Sequence, residues 1–380
     1  MFNHLAQFIQ DKYQRTSFIP LHEPSFIGKE KEFVSSTIDS TFVSSVGKFV
    51  DQFEEKIAKF TGTKKAIAIV NGTSALHLSM LIAGIKPGDY VITQALSFVA
   101  TCNAITYCQA EPILIDVDKK TLGLSPDALE AWLEENAFID EDQVCKIKDS
   151  KRTIRACIPM HTFGHPVEID SLILICKKWK LLLIEDAAES LGSLYKNIHT
   201  GSFGLMGTLS FNGNKIITTG GGGAILCNED LYLKGKHLST TAKVPDNIHF
   251  FHDEVGFNYR LPNINAALGC AQLDSINTFI SHKRALADEY AKLLYGSDLE
   301  FFKEPENCRS NYWLNTVICE NQKHRDELLS FMGAKKIMTR PIWTPMNKLP
   351  MYNKAIRDDL KNTTWLQERI VNIPSTPILS

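Results

Sequence analysis

One aspartate and one lysine in the middle of the chain have the types and the spacing that covalent and acid–base chemistry requires. An apolar run at residues 181–184 ends in the acidic pair Glu185 and Asp186, which is how a buried parallel strand delivers a carboxylate to its C-terminal edge. A second alternation of apolar and polar residues, at 208–211, is followed by Asn-Gly-Asn and then by Lys215, 29 residues after Asp186. A lysine amine at such a junction can form a Schiff base with pyridoxal phosphate (PLP), while the aspartate pairs with the pyridinium nitrogen.

Lys215 and the glycine run that follows it also have simpler interpretations. Taken alone, Lys215 would be a solvated surface charge, as most loop lysines are. The glycine run at 220–223 could suggest a phosphate-binding loop, but no Lys-Ser or Lys-Thr pair follows it, so a P-loop is not predicted. We expect these glycines to form a tight turn whose backbone passes close to a cofactor.

Three small residues earlier in the chain form a candidate phosphate site. Gly72, Thr73 and Ser74 follow an apolar strand at 65–70 and open a helix at 75–83. A helix that begins at such a junction offers backbone N–H groups and the positive end of its dipole to a phosphate. On their own, the same residues would equally serve as an ordinary helix N-cap. Together with Lys215 and Asp186, they favour the phosphate of PLP.

Three segments resemble the sugar aminotransferases of the DegT/DnrJ/EryC1/StrS family. They read NGTSALHLSMLIAGIKPGD, EDAAES and SFNGNKIITTGGGG, and the resemblance extends from about Pro20 to Pro374. It implies an α/β fold of the aspartate aminotransferase type (fold type I), PLP as cofactor, and transamination of nucleotide-linked 4-keto sugars. The expected large domain spans 1–265, with an arm at 1–25 packing on a small α+β domain at 266–380.

The resemblance also implies roles for residues that their types alone would not single out. Phe98 would stack on the pyridine ring, and Glu189 would lie near the phenolic oxygen. Ser210 would join the phosphate site. Asn258 and Arg260 would reach the partner subunit's site near the cofactor phosphate, where an amide and a guanidinium can both donate to phosphate oxygens. An obligate homodimer is therefore expected.

Substrate-contact candidates are fewer and rest on the same resemblance. Arg340 and Trp343 lie in a run that would cover the nucleotide-sugar pocket, and His161 is a third candidate. His161 and His165 stand four residues apart, a zinc spacing in a helix, but an intervening glycine and a following proline argue against a helix. No metal site is predicted.

Strands and helices alternate along the chain at the spacing of right-handed βαβ units, which predicts a mostly parallel sheet with helices on both faces. The charged segment 136–151 is expected to be a surface excursion, and 243–253 a long loop. One long helix is expected from Leu268. The small domain should contain a strand at 311–319 and a helix after it.

Composition excludes several classes of protein. The 380 residues carry a formal net charge of −2 and are 44% hydrophobic, so electrostatics gives no case for a nucleic-acid or membrane partner. The nine cysteines contain no CxxC pair, which argues against a disulfide framework or structural zinc. Because neither a signal-like N-terminus nor a run of 18 apolar residues is present, we expect a cytoplasmic protein.

The expected reaction is a ping-pong transamination with glutamate as donor and Lys215 as the residue that carries the proton. The resemblance is strongest to the branch acting on UDP-linked 2-acetamido-4-keto-6-deoxy sugars, in legionaminic acid or bacillosamine-type glycan synthesis. A GDP-4-keto-6-deoxymannose aminotransferase is the alternative substrate assignment. A PLP-binding protein without turnover, and a nucleotide-binding α/β protein without PLP, are the alternatives from other classes.

Overall fold

The computed structural model describes residues 1–246 and 248–379, so position 247 of the predicted loop 243–253 lies outside the described residues. Helices in the described part run, in chain order, over Phe2–Tyr13 (α1), Glu30–Asp39 (α2), Lys48–Thr61 (α3), Gly72–Ile82 (α4), Val99–Tyr107 (α5), Pro126–Asn136 (α6), Ile169–Lys178 (α7), Glu229–Ser239 (α8), Asn263–Asp274 (α9), Ile276–Leu293 (α10), Gln322–Ala334 (α11) and Lys361–Gln367 (α12).

Strands run over Lys65–Ile69 (β1), Tyr90–Gln94 (β2), Glu111–Ile115 (β3), Ala137–Ile139 (β4), Cys145–Ile147 (β5), Ile154–Ile158 (β6), Leu182–Asp186 (β7), Leu194–Tyr195 (β8), Ile198–His199 (β9), Met206–Ser210 (β10), Gly223–Cys227 (β11), Leu299–Phe301 (β12), Cys308–Arg309 (β13), Asn315–Cys319 (β14), Arg340–Pro341 (β15), Ile356–Arg357 (β16) and Ile370–Ile373 (β17).

An eight-stranded sheet forms the centre of the molecule, in the order β1-β11-β10-β7-β6-β2-β3-β16. Strand β11 runs antiparallel to both of its neighbours, and the other neighbouring pairs are parallel. The mostly parallel sheet predicted from the sequence is therefore confirmed. Because parallel strands share one carboxyl edge, the ends of β1, β7 and β10 lie on the same side of the sheet.

Both faces of the sheet are covered, as the side chains of β1 show. Ala66 and Ala68 pack in the cluster that holds the apolar face of α3, whereas Ile67 and Ile69 pack in the cluster that holds α4. Successive side chains of a strand point to opposite faces, so a strand buried on both sides must be apolar at every position.

A second sheet, β12-β14-β17-β15, belongs to the C-terminal part of the chain. Helix α1 packs there, since Leu5 and Ile9 share a buried cluster with Tyr290 of α10 and Met332 of α11. The division of the chain at residues 265 and 266 stays a prediction. One observation runs across it, because β16 pairs in parallel with β3 of the large sheet.

The return of the chain to the large sheet has a local cause. The carboxylate of Asp116, just after β3, accepts the backbone N–H groups of Asn362 and Thr363, each at 2.7 Å, and so caps α12. Met346 and Tyr352 fill the apolar cluster beside this cap. These contacts join residues more than 200 positions apart, which no local pattern could predict.

Two expectations about elements are wrong. The helix expected from Leu268 is two helices, α9 and α10, which meet at Ser275, whose N–H bonds to the carbonyl of Gln272 at 3.1 Å. Segment 136–151 is not a simple surface excursion, because β4 and β5 form a hairpin in which Cys145 is only 1% exposed. Apolar residues interleaved with the charges bury one face of this hairpin. Across residues 1–246 and 248–379, no helix combines the length and apolarity needed to span a membrane.

Candidate active site

Asp186 lies at the carboxyl end of β7, with 3% of its surface exposed. Its Oδ2 accepts the hydroxyl of Thr101 at 2.7 Å, and its Oδ1 accepts the N–H of Ala188 at 3.2 Å. Burial raises the pKa of Asp186, and the two hydrogen bonds and the charge of Lys215 lower it by less. A buried carboxyl with a fixed orientation is suited to pair with a cationic ring nitrogen, whose charge would favour its ionised form.

Lys215 reaches the same pocket from the turn after β10. Its Nζ donates to Oε1 of Glu189 at 3.2 Å, and the Glu189 side chain is 2% exposed. The other oxygen of Glu189 accepts the N–H of Phe163 at 2.9 Å. Burial raises the pKa of Glu189 to about 7, because it outweighs the charge of Lys215. The reactive amine therefore has a carboxyl partner that titrates near neutral pH.

Trp313 is a site residue that sequence analysis missed. Nζ of Lys215 lies 4.0 Å from the centroid of the indole ring. The indole N–H donates to the carbonyl of Asn214 at 2.7 Å. The sequence predicts only a strand near Trp313. The contact between Trp313 and Lys215 joins residues 98 positions apart, so no local pattern indicates it. Thr101, which orients Asp186, was missed for the same reason.

The phosphate-site candidates lie at the start of α4. The side chain of Asn71 caps the helix by accepting the N–H of Ser74 at 2.7 Å. A Cβ on Gly72 would come within 2.9 Å of Cβ of Ser210 at the end of β10. A Cβ on Gly223 would approach the carbonyl carbon of Asn71 to 2.6 Å. The end of β10 and the start of β11 thus lie close to the N-terminus of α4, and only glycine at positions 72 and 223 permits that approach.

The structure accordingly brings Gly72, Thr73, Ser74 and Ser210 together beside the glycine turn predicted at 220–223. Thr73 and Ser74 are half-buried in the first turn of α4. The first-turn N–H groups of a helix lack intrahelical acceptors, so they and the helix dipole can bind an anion. These residues fit a phosphate monoester at this edge of the sheet.

Phe98 is the residue before α5, and its side chain is 48% exposed. Its ring lies 6.3 Å from Trp343, which in turn lies 4.9 Å from Phe163. A large aromatic side chain left exposed beside other aromatic rings offers an apolar face to a planar ligand. Its stacking on the pyridine ring stays a prediction.

Asn258 and Arg260 lie beside β1, because the backbone of Arg260 bridges to that of Ile69. The guanidinium donates to Oδ1 of Asn258 at 3.2 Å. Nε of Arg260 is buried and has no hydrogen-bond partner among the described residues. An orphaned guanidinium donor next to the strand that leads into the phosphate site is consistent with anion binding, in this subunit or in a partner.

The structure does not support a substrate contact for His161. The side chain is fully buried, with Nε2 3.0 Å from Oε2 of Glu185 and Nδ1 accepting the N–H of Val167 at 3.2 Å. Because Nδ1 accepts, Nε2 carries the proton and donates to the carboxylate. Its backbone N–H donates to the carbonyl of Asp186 at 3.1 Å. His161 thus holds the end of β7 in place.

Glu185 explains why the histidine is needed there. Its carboxylate also accepts the N–H groups of Gly201, Phe203 and Gly204 at 2.7 to 2.8 Å. Burial alone would raise the pKa of Glu185, but the bond to His161 and these backbone donors together lower it. Adjacent acids on β7 therefore have separate roles, since their side chains point to opposite faces of the strand.

The remaining candidates differ in their exposure. Arg340 is exposed on β15, and Trp343 is half-buried. His165 is fully buried between the edges of Phe302 and Tyr312 rather than close to His161. The substrate roles of Arg340 and Trp343 stay predictions.

A lysine, a buried aspartate and a glycine-lined helix N-terminus at one sheet edge fit PLP, whose ring nitrogen, aldehyde and phosphate need these three partners. The fold and the site thus define a PLP-dependent enzyme of fold type I. A sequence profile described as the DegT/DnrJ/EryC1/StrS aminotransferase family matches residues 25–380, and the chain belongs to that family.

Similar proteins agree with this assignment. GDP-perosamine synthase of Escherichia coli O157:H7 is 37% identical over 374 residues, which cover 96% of this chain and 94% of that protein. GDP-perosamine synthase of Vibrio cholerae is 35% identical and covers 94% of each chain. The protein is thus a sugar aminotransferase of this family.

Solved structures confirm the fold. A DegT DnrJ EryC1 StrS aminotransferase from Brucella abortus superposes with a TM-score of 0.83 at 25% identity, covering 93% of this chain and 91% of that chain. PseC of Helicobacter pylori, an aminotransferase involved in the biosynthesis of pseudoaminic acid, gives a TM-score of 0.84 at 23% identity, with 94% of each chain covered. At such identity the second likeness bears on the fold alone.

Proposed function

We propose that this protein transfers an amino group from glutamate to C4 of a nucleotide-linked 4-keto-6-deoxy sugar. The observation that carries the proposal is the position of the Lys215 amine, 3.2 Å from the buried carboxyl of Glu189, in the pocket that also holds Asp186. An amine with a nearby proton acceptor can exchange protons with a substrate carbon, which transamination requires.

Each group of residues in the site has a distinct role in this reaction. When bound, PLP supplies an electron sink for the charge that develops on the donor or acceptor carbon. Asp186 would pair with the ring nitrogen of bound PLP, and Gly72, Thr73, Ser74 and Ser210 would hold its phosphate. Lys215 Nζ takes and returns the proton.

The substrate proposal changes from the UDP-linked acetamido sugar expected from sequence to a GDP-linked one. Both relatives described above are named as synthases of GDP-perosamine, and each aligns over most of both chains. GDP-4-keto-6-deoxymannose is the keto sugar that amination at C4 would convert into such a product. No observation of the structure favours uridine over guanosine.

A homodimer is part of the proposal, because one chain leaves large apolar side chains exposed on two segments. Phe42 and Val46 precede α3 and are 57% and 67% exposed, while Phe250 and Val255 follow α8 and are 83% and 84% exposed. Apolar groups at that density on a soluble protein mark an interaction surface. The second segment leads directly to Asn258. A dimer contact through this segment would therefore explain how Asn258 could reach the partner's site.

The test follows the cofactor absorbance of the purified protein through both half-reactions. Glutamate should bleach the absorbance of bound PLP, and GDP-4-keto-6-deoxymannose should restore it. Lys215→Ala should show neither change, while Lys236→Ala, which removes a surface amine paired with Glu54, should behave as wild type.

Each other outcome points to a named alternative. Restoration by UDP-2-acetamido-4-keto-6-deoxyglucose but not by the GDP sugar would overturn the substrate and keep the reaction. Absence of bleaching by glutamate would indicate a PLP-binding protein without turnover. A colourless protein in which Lys215→Ala retains nucleotide binding would indicate a nucleotide-binding protein without PLP.

A further inference from the structure

The amine of Lys215 lies in a compartment formed by two other side chains. On one side Glu189 accepts its hydrogen bond at 3.2 Å, and on the other the indole face of Trp313 lies 4.0 Å away. The lysine side chain is only 13% exposed. A cation–π contact strengthens when water is excluded, so the indole face and the carboxyl together hold the amine in place.

Trp313 is itself held on three sides. Its backbone N–H donates to Oδ1 of Asn311 at 2.8 Å, and its carbonyl accepts the ammonium of Lys283 at 3.1 Å. Its indole N–H donates to the carbonyl of Asn214 at 2.7 Å, next to the reactive lysine. Neither the ring nor its backbone can shift without breaking one of these bonds.

Asn311 links the two walls of the compartment. Its Nδ2 donates to the backbone carbonyls of Glu189 and Leu191 at 2.9 and 3.0 Å, while its Oδ1 holds Trp313. A Cβ at Gly164 would come within 1.9 Å of that Oδ1, so the amide is tightly packed. The side chain of Asn311 therefore fixes the distance between Glu189 and Trp313.

Lys283 anchors this arrangement from behind. It is fully buried on α10, and its ammonium donates to the carbonyls of Trp313 and Ser375. Burial lowers the pKa of Lys283 well below its usual range. His22 is the other basic group nearby: burial first, and then the charges of Lys283 and Lys215, lower the pKa of His22. The charge of Lys215 also lowers the pKa of Asp186 and of Glu189, although burial of each carboxyl outweighs it.

We propose that Trp313 is a positioning residue for Lys215. Its ring holds the free, charged amine beside Glu189, and its indole N–H fixes the turn from which Lys215 extends. Because Trp313 lies two residues before β14 of the second sheet, the placement of the reactive amine depends on the C-terminal part of the chain. The catalytic part of this inference rests on the proposed function. The contact between Trp313 and Lys215 can be tested without turnover.

The test measures acetylation of Lys215 in the full-length protein freed of PLP. The protein is treated with a limiting amount of acetic anhydride at pH 7.5, and mass spectrometry compares the Lys215 peptide with that of Lys323, which is 86% exposed. Trp313→Leu removes the ring and should raise relative labelling of Lys215 about fivefold, whereas Trp313→Phe keeps a weaker aromatic face and should raise it about twofold.

The pH dependence separates charge stabilisation from simple access. At pH 10.5 about half of an ordinary lysine amine, with its pKa of about 10.4, is neutral, so the difference from wild type should shrink to about threefold or less. A fivefold increase that persists at both pH values would mean that Trp313 only shields the amine, and would overturn the proposal. Unchanged labelling at pH 7.5 would also overturn it.

Trp365 supplies a matched control. Its ring lies 4.1 Å from Nζ of Lys119, outside the site, so Trp365→Leu should change labelling of Lys119 and leave Lys215 as in wild type.

With substrates, Trp313→Phe tests the positioning role, because it leaves a smaller aromatic ring beside the amine and loses the indole N–H bond to the turn. We expect kcat to fall about tenfold, with KM for the nucleotide sugar changed less than about twofold. A rise in KM at constant kcat would assign Trp313 to substrate binding and contradict the positioning role. If wild type shows no transamination, the proposed function fails while the labelling result still decides on Trp313.

Discussion

At the scale of single residues, the two carboxyl groups near Lys215 differ in what they contact. Asp186 accepts hydrogen bonds from Thr101 and Ala188, which fix its orientation. Glu189 instead binds the amine itself. Burial raises the pKa of both groups, and for Glu189 the value reaches about 7. Glu189 should therefore change its charge within the working pH range.

A pH profile follows from this value. Below about pH 7 Glu189 takes up a proton and becomes a weaker acceptor for the Lys215 amine and a poorer proton acceptor, so kcat/KM should fall as the pH decreases. Glu189→Gln should remove this acid limb and lower the plateau about tenfold, because the amide is a weaker acceptor.

The measurement is kcat/KM for the nucleotide sugar between pH 5.5 and 9. Glu189→Asp keeps the ionisable group and should keep an acid limb. Persistence of the wild-type limb in the Gln variant would assign the titration to another group.

At the scale of elements, the phosphate site depends on how closely α4 approaches the end of β10. Gly72→Ala would place a Cβ 2.9 Å from that of Ser210, and both belong to regular elements that cannot move apart freely. We expect the affinity for PLP to fall at least about tenfold and the free energy of unfolding to drop by about 1–3 kcal/mol.

Fluorescence titration with PLP and urea unfolding of the cofactor-free protein would measure the two effects. Gly333→Ala, at the C-terminal end of α11, is the matched control because a Cβ there meets no atom within 4 Å. Unaltered PLP affinity in Gly72→Ala would remove this junction from the cofactor site.

At the scale of the whole molecule, the exposed apolar segments before α3 and after α8 predict a second copy of the chain. Val46→Asp would place a charge in that surface, and a buried unpaired charge is strongly unfavourable. We expect sedimentation velocity to show a dimer for wild type and mainly monomer for Val46→Asp. Leu233→Asp, on α8 and 62% exposed in wild type, should remain dimeric.

Loss of dimer in Val46→Asp should also reduce PLP affinity if Asn258 and Arg260 act across the interface. A monomeric wild type would contradict the homodimer, and a monomer that retains full activity would place both residues in their own subunit's site.

Prediction from sequence succeeded where a local pattern encodes a strand or a helix. Asp186 ends an apolar strand and Gly72 opens a helix, and each has the position in its element that the pattern indicates. Local pattern gave no indication that His161 is bonded to the buried carboxyl of Glu185, because that contact joins different parts of the chain. It also missed the break at Ser275, since α9 and α10 together read as one helical pattern.

The amino-acid sequence by itself determined the alternating strands and helices, the mostly parallel sheet, and the lysine, aspartate and glycines at its carboxyl edge. Hydrophobic periodicity and turn chemistry act over a few residues, and so they can be read locally. Only the tertiary structure decided that Trp313 lies against Lys215, that Thr101 orients Asp186, and that β16 returns to the large sheet. Each of these contacts joins distant parts of the chain, and such pairs form only when packing brings their elements together.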